Sequence, residues 1–509
     1  MQVVIIHATV MIMPDRITPA STAAHPNRRA WIALVIVCLG QLMIVLDTTI
    51  VNVALPAIDK DLHFGHGNLT WVVDAYMIAF GSFLLLAGRM GDLIGRKKIF
   101  LSGLALFVAA SAWCGLAQTE GMLIGGRFVQ GLGGAFASSV ILAIIVTEFP
   151  AGPARARAMG VFAFTAVSGG SIGLLAGGWL TEHISWHWIF FINLPIGVFA
   201  WFAGRALIDE SEAIGLDKGV DVLGSLLVTV SVMIGVYGVI EATRHGWGST
   251  TTLGSIGVSL ALLLVFLLWE GRIANPIMPL RILRNRGLMG SSAVRALLVT
   301  GMFSVFFLGA LYFEQIKGYS ATETGLAFLP MTLTVAVLSL TVTPRLMGRV
   351  GPLPLIVFGL SCMLGALILL SHIGQHTDYY PLIGGAFLLQ ALGMGTAFMP
   401  LLNVAMADVP HAEAGLASGI INVSVQLAAA IGLAVLTTLS TNHANSLLHS
   451  GHSVASSLVG GYHLAFAVGA GCVLAGLLIA VAVLRTPGAT QPEPVAELEP
   501  EPELEPVAA

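Results

Sequence analysis

Apolar runs of about twenty residues, nearly free of charge, recur from one end of this 509-residue chain to the other, and that pattern constrains the fold more than any other feature. Each run is long enough to cross about 30 Å of hydrocarbon as an α-helix. Charged, Pro-rich or polar breaks divide the chain into fourteen candidate spans at 30–57, 70–88, 99–118, 121–146, 158–181, 188–207, 220–241, 252–269, 288–313, 325–344, 353–372, 380–405, 414–440 and 461–484. Spans seven and eight separate this count from twelve. In lipid the backbone must satisfy its own hydrogen bonds, so the choice is helices or a closed barrel. The runs are continuously apolar instead of alternating in ten-residue units, which selects an all-α polytopic membrane protein. With 56% hydrophobic and 10% charged residues, the chain has too little polar surface for a soluble enzyme, a disordered scaffold or a fibre.

Charge placement sets the orientation. With an even number of spans and the N-terminus inside, 18 of the 23 Lys and Arg residues fall on the inner side, including Arg28, Arg29, Arg96, Lys97, Lys98, Arg281 and Arg345. Only Lys60, Arg244 and Lys317 fall outside, while Arg127 and Arg295 lie within spans. The positive-inside rule therefore puts both termini in the cytoplasm and the chain in the plasma (inner) membrane. The net charge of −4 gives no reason to expect a nucleic-acid partner. Cys38, Cys114, Cys362 and Cys472 lie far apart inside apolar runs and read as small buried hydrophobes. No metal site is expected, because the histidines near 443–463 lack ligand spacing. Residues 1–14 have neither a basic start nor a small-residue cleavage site, so no secretory signal is read there.

The chain repeats itself. GRMGDLIGRKK (88–98) aligns with PRLMGRVGPLP (344–354), pairing Arg89 with Arg345 and Gly95 with Gly351. Further on, Gly131, Gly133 and Ala135-Phe136 pair with Gly393, Gly395 and Ala397-Phe398. These matches, in one order and on one membrane side, imply parallel six-helix halves, the build of one transporter class with substrate bound at the midplane. The expected division is a cytoplasmic segment at 1–29, an N-terminal half at 30–207, a linker with two extra spans at 208–287, a C-terminal half at 288–484 and a tail at 485–509. The Pro/Glu/Ala-rich tail is expected to be disordered. The acidic residues of the inner loop 205–221 have no role evident from sequence.

An ionisable residue inside a span is costly and is a functional candidate by default. Asp47 in span one and Arg127 in span four lie at similar depth in the outer half. Each offsets the other's desolvation if their helices face one another, or Asp47 gains and loses a proton under the influence of Arg127. The competing readings are a fixed ion pair, or a local hydrogen bond between Asp47 and Thr48 or Thr49. Asp74, a turn inside span two, is a weaker candidate beside the interfacial Glu182, Glu241 and Glu314. Arg295 is close enough to the inner edge to snorkel. Span five carries Gly173, Gly177 and Gly178, small residues that allow close helix packing in lipid and equally allow a hinge. In the 88–98 loop, Gly88 and Gly95 permit tight turns, and Asp92 can accept from Arg96 or cap a neighbouring helix. An acid within this basic cluster points to a gating latch.

These residues resemble the major facilitator superfamily. GRMGDLIGRKK is similar to its signature loop G-x-x-x-D-x-x-G-R-K/R, LDTTIVNVALP (46–56) to the first-helix motif of its fourteen-span drug:proton antiporter subfamily, and LIGGRFVQGLGGA (123–135) to its fourth-helix motif. WHWIFFINLPIG (186–197) also fits, with His187 where Arg is usual. The resemblance implies two six-helix halves plus two inserted helices, Asp47 in a central cavity, Arg127 in proton coupling, and Asp92 with Arg96 latching the cytoplasmic gate. One departure stands out: the span-five motif has Leu174 where Pro is expected, which should reduce the bend that Pro imposes.

The combined reading is a proton-coupled exporter of small amphipathic or cationic organic molecules, monomeric in the bilayer, needing no cofactor and driven by the proton gradient. Met43, Phe303, Phe306 and Phe307 either line its apolar cavity or face lipid. A dedicated exporter of one natural product or lipid, or an uncoupled facilitator, is the near alternative. A membrane enzyme or sensor is remote, since neither a paired-carboxylate cluster nor an output domain is present.

Overall fold

The computed structural model describes residues 28–64, 68–149, 152–210, 213–215, 221–273 and 275–484, and every regular element among them is helical. Among the described residues thirteen helices are long and apolar enough to cross a membrane, and a fourteenth candidate is a bent one. In chain order they are α1 (Arg28–Leu62), α2 (Trp71–Ile94), α3 (Arg96–Gly115), α4 (Glu120–Glu148), the bent α5 (Pro153–His183), α6 (Trp188–Leu207), α7 (Val222–His245), α8 (Thr250–Glu270), α9 (Arg286–Gln315), α10 (Thr322–Val350), α11 (Pro352–Leu370), α12 (Tyr379–Ala407), α13 (His411–His449) and α14 (Val454–Val483). Each sequence span has its helix. Several helices outrun their hydropathy windows, as α13 does by reaching His449, because helical hydrogen bonding continues where apolar character stops. The expected segment before residue 28 and the tail from 485 lie outside the described residues, as does the side chain of Leu174.

Small residues set the helix spacing. A Cβ on Gly103 of α3 would lie 2.8 Å from the Gly133 carbonyl of α4, and one on Gly359 of α11 would lie 2.7 Å from the Gly393 carbonyl of α12. The two crossings are equivalent, so the repeat pairs Gly133 with Gly393. The sequence alignment, which pairs Gly131 with Gly393, is two residues out because glycines crowd both segments and apolar neighbours supply no competing signal. The repeat also shows in the backbone. Gly95 (φ 118°) and Gly351 (φ 77°) both take the positive-φ region that favours glycine, at the turns α2–α3 and α10–α11.

Helix α5 bends by 40° between 153–170 and 175–183. The bend is present with Leu174 where the motif has Pro; glycines at 169, 170 and 173 weaken the helix locally. Gly169, Gly173 and Gly177 form one face, four residues apart, against Val45, Thr49 and Ile50 of α1. A Cβ on Gly177 would lie 2.9 Å from Ile50 Cγ1, whereas Gly178 stands 4.0 Å off Val53 and belongs to a looser face.

Helices α7 and α8 pack on each other through reciprocal bonds, Ser231 Oγ to the Ser259 carbonyl and Ser259 Oγ to the Ser231 carbonyl, both 2.8 Å. Helix α7 docks on α2 through Ile78, Val236 and Ile240. At the end of that seam Arg244 donates to Asp74, with Glu241 accepting from Arg244 at 3.3 Å. Asp74 thus pins the inserted pair to α2. The acidic loop after α6 also gains a role: Asp209 pairs with Arg29 at 2.9 Å and Glu210 with Lys98 at 3.4 Å, while Ile214 and Gly215 donate to the last carbonyls of α2.

Candidate functional site

Two buried polar clusters stand out against the apolar bundle. The first surrounds Asp47, which is 1% exposed, as is Arg127. Helix α1 presents Asp47 to α4, and Arg127 Nη1 donates to Asp47 Oδ2 at 2.5 Å. The other carboxylate oxygen accepts from Gln130 Nε2 at 2.7 Å and Asn193 Nδ2 at 3.2 Å. Gln130 and Asn193 both also donate to Ser111 Oγ, at 3.2 and 3.0 Å. Arg127 is held by three further contacts: Nη1 donates to Gln130 Oε1 (2.7 Å), Nε donates to the Val72 carbonyl (2.9 Å), and its Cζ lies 4.3 Å over the Tyr76 ring. Burying a charge pair is tolerable when the remaining lone pairs and N–H groups are satisfied, and this network satisfies them from α1, α2, α3, α4 and α6.

The pair forms as one of the sequence readings allowed, while Thr48 and Thr49 donate to backbone carbonyls of α1 instead of to Asp47. In this conformation Asp47 is enclosed among α1, α3, α4 and α6. Met43 is likewise fully buried, against Gly197; Phe306 stacks on Phe328 at 5.4 Å, and Phe307 is 40% exposed on the periphery. Sequence reasoning missed Gln130, Asn193 and Ser111. The usable signals were a Gln one helical turn beyond Arg127 and an Asn within the apolar 186–197 motif. Nearby, His187 stacks on Trp186 at 3.8 Å and bonds Ser185 Oγ at 2.8 Å. Burial pushes its imidazole below the ordinary range, with the Asp61 carboxylate opposing.

The second cluster lies where α2, α3 and α13 meet. Asp92, 2% exposed, accepts from the backbone N–H groups of Gly415 (2.9 Å) and Leu416 (2.8 Å) at the start of α13. A carboxylate there also meets the positive end of the helix dipole. Arg96 donates to Asp92 Oδ1 at 3.0 and 3.2 Å, to Thr147 Oγ1 at 2.5 Å, and to the His411 carbonyl. Gly88 faces the Gly415 carbonyl so closely that a Cβ could not be accommodated, and the same Cβ would lie 3.3 Å from Gly419 Cα. Gly95 supplies the turn that brings Arg96 back towards Asp92. These four residues join the α1–α6 group to the α9–α14 group at the basic end of the bundle.

The comparisons agree with this architecture. The model of the Major Facilitator Superfamily matches residues 37–433. Over 461 residues, 89% of this chain and 91% of the other, the chain is 36% identical to "Puromycin resistance protein pur8" of Streptomyces alboniger. It is 34% identical over 471 residues to "Cephamycin export protein CmcT" of Amycolatopsis lactamdurans, covering 91% and 96% of the two chains. Against "Uncharacterized MFS-type transporter EfpA" of Mycobacterium tuberculosis it is 35% identical over 418 residues, 81% and 78% of the two. Among solved structures, the human organic anion transporter MFSD10 superposes with a TM-score of 0.63 at 15% identity, over 89% of this chain and 99% of that one. The proton:xylose symporter XylE gives 0.59 at 14% identity, over 88% and 95%. With its helix count, its signature turn at 88–98 and these matches in agreement, the chain belongs to the major facilitator superfamily, a family of multi-pass membrane transporters.

Proposed function

We propose that the protein is a proton-coupled efflux transporter that exports small amphipathic organic compounds, antibiotics among them, by alternating access. Antibiotic resistance and export are what the printed names of its relatives describe. The observation that carries proton coupling is the Asp47–Arg127 pair, a carboxylate held by a cation and two amide N–H donors in a buried site. Protonating Asp47 removes the charge that holds Arg127 Nη1 and reverses the preference of Oδ1 or Oδ2 from acceptor to donor. The guanidinium then keeps Gln130, the Val72 carbonyl and the Tyr76 ring, and the hold of α1 on α4 at this depth weakens. The basic end of the bundle faces the cytoplasm of a bacterial inner membrane, and the single chain is the working unit. In everted vesicles energised by respiration, adding a substrate such as puromycin should dissipate part of the lumenal acidification. Asp47→Asn should insert normally and lose that response. Full export by Asp47→Asn would refute coupling through this pair.

A further inference from the structure

The C-terminal helix group holds a buried cation two of whose nitrogens meet no hydrogen-bond acceptor among the described residues. Arg295 lies well inside α9 and is 5% exposed, and neither Nε nor Nη1 has a hydrogen-bond partner. The distance from the inner end allowed it to snorkel; the structure instead turns it inward, with Cζ 4.7 Å over the Phe398 ring of α12. Phe398 gives the charge a cation–π contact but cannot accept its N–H groups. One turn earlier, on the same face of α9, Ser291 and Ser292 are 1% and 4% exposed, and their hydroxyls also lack partners. Among the described residues no carboxylate is paired with Arg295; Glu413, at the bundle end, is paired with Arg281. The contrast with Arg127, which is paired on every side described above, is direct.

A guanidinium presents several N–H donors in a planar fork that fits the two oxygens of a carboxylate or phosphate, and two hydroxyls beside it extend that donor set. We propose that Arg295, Ser291 and Ser292 form a recognition site for the carboxylate or phosphate of an amphipathic molecule, whose apolar part lies against Phe398. In this conformation the guanidinium is almost fully covered, so an anion reaches it only when the helices around α9 and α12 move. That the bound anion is cargo rests on the export reading; that the site binds an anion does not.

The test is binding to the full-length protein in phosphatidylcholine nanodiscs, followed by thermophoresis with decanoate, decyl phosphate, decanol and decyltrimethylammonium as probes. Decanoate and decyl phosphate should bind saturably, and the neutral and cationic probes far more weakly. Arg295→Gln should weaken decanoate by about tenfold to a hundredfold, the loss of a charge-assisted hydrogen bond. Where Arg295→Gln does not give a monodisperse protein, the Ser291→Ala/Ser292→Ala double variant serves, with decanoate about tenfold weaker expected. Nanodiscs containing phosphatidylglycerol distinguish the sources. Competition with decanoate in the wild type but not in Arg295→Gln identifies a lipid headgroup as occupant, and no competition identifies a free amphiphile. Equal decanoate binding by wild type and variants, or equal binding of decanoate and decyltrimethylammonium, overturns the proposal. Because binding is read without transport, that result leaves the export reading intact, and a failure of export leaves the binding result intact.

Discussion

Replacing Asp92 with Asn tests how much of the closed state one carboxylate holds. Asp92 accepts two backbone N–H groups from α13, at 2.9 and 2.8 Å, and both are lost when the helix groups separate at this end. Its bonds to Arg96 stay within one group and survive opening, so they do not count towards the bias. A hydrogen bond to a charged group contributes about 1.5–3 kcal/mol and a neutral one about 0.5–1.5. Asn therefore forfeits roughly 1 kcal/mol at each N–H, and about 1 kcal/mol more of charge–dipole attraction at the α13 terminus. The sum, about 3 kcal/mol, corresponds to roughly a hundredfold shift from closed to open. Ser418, fully buried one residue before the Gly419–Leu84 contact, reports on that opening. In a background with Cys38, Cys114, Cys362 and Cys472 replaced, maleimide labelling of Ser418→Cys in nanodiscs should be slow. Adding Asp92→Asn should accelerate it, by up to the full shift where opening limits the rate. Labelling rates within twofold of each other would refute the assignment of Asp92 as the group that holds this end shut.

Removing one partner of the buried pair should be costlier than removing both. Asp47→Asn strands the Arg127 charge and should lower unfolding stability by about 3–5 kcal/mol, while adding Arg127→Gln should recover much of that without restoring coupling, as read by detergent thermal melts and vesicle acidification. Gly173→Ala forces a methyl into Thr49 and should cost about 1–3 kcal/mol, with Gly178→Ala, which meets only ordinary contact, near neutral in the same melts. Arg244 and Asp74 are partly exposed, so their coupling in a double-mutant cycle of Arg244→Gln and Asp74→Asn should be no more than about 1 kcal/mol. Limited proteolysis near 246–249 should nevertheless rise in both single variants as α7 loosens from α2.

The fold was legible because lipid imposes a simple rule: a continuous apolar run of this length is a helix, whatever its neighbours do. The same rule hides detail. Apolar runs supply no register, which is why the Gly131–Gly393 alignment misplaced the repeat while the conformationally demanding Gly95 and Gly351 aligned it correctly. Charged residues were legible as candidates, since each must be compensated, but their partners were not. Gln130, Asn193 and Ser111 differ little from the many polar residues that merely bond a carbonyl one turn back, as Thr165 and Ser361 do. Arg295 was misread for a related reason. Depth along the chain measures how far a side chain would have to snorkel, and says nothing of whether its helix face points to lipid or to Phe398.

The placement of Asp47 on α1 explains how a proton there could move more than one side chain. Val45 and Thr49, on either side of Asp47 in sequence, are the residues that Gly169 and Gly173 of α5 press against. One short segment of α1 thus carries the ion pair to α4 on one side and the tight glycine seam to the bent α5 on the other. Helix α5 in turn packs on the C-terminal group: a Cβ on Gly325 of α10 would lie 2.8 Å from Leu175 Cδ2, and Gly160 faces the Ser339 carbonyl just as closely as Gly88 faces Gly415. On the α1 side the seam is made by the β-branched side chains of Val45, Thr49 and Ile50, which have few alternative rotamers, so a rotation of α1 must carry α5 with it or break the packing. Under the proposed coupling, the charge state of Asp47 would reach the interface between the helix groups through α5; at the basic end of that interface Asp92 bonds the start of α13.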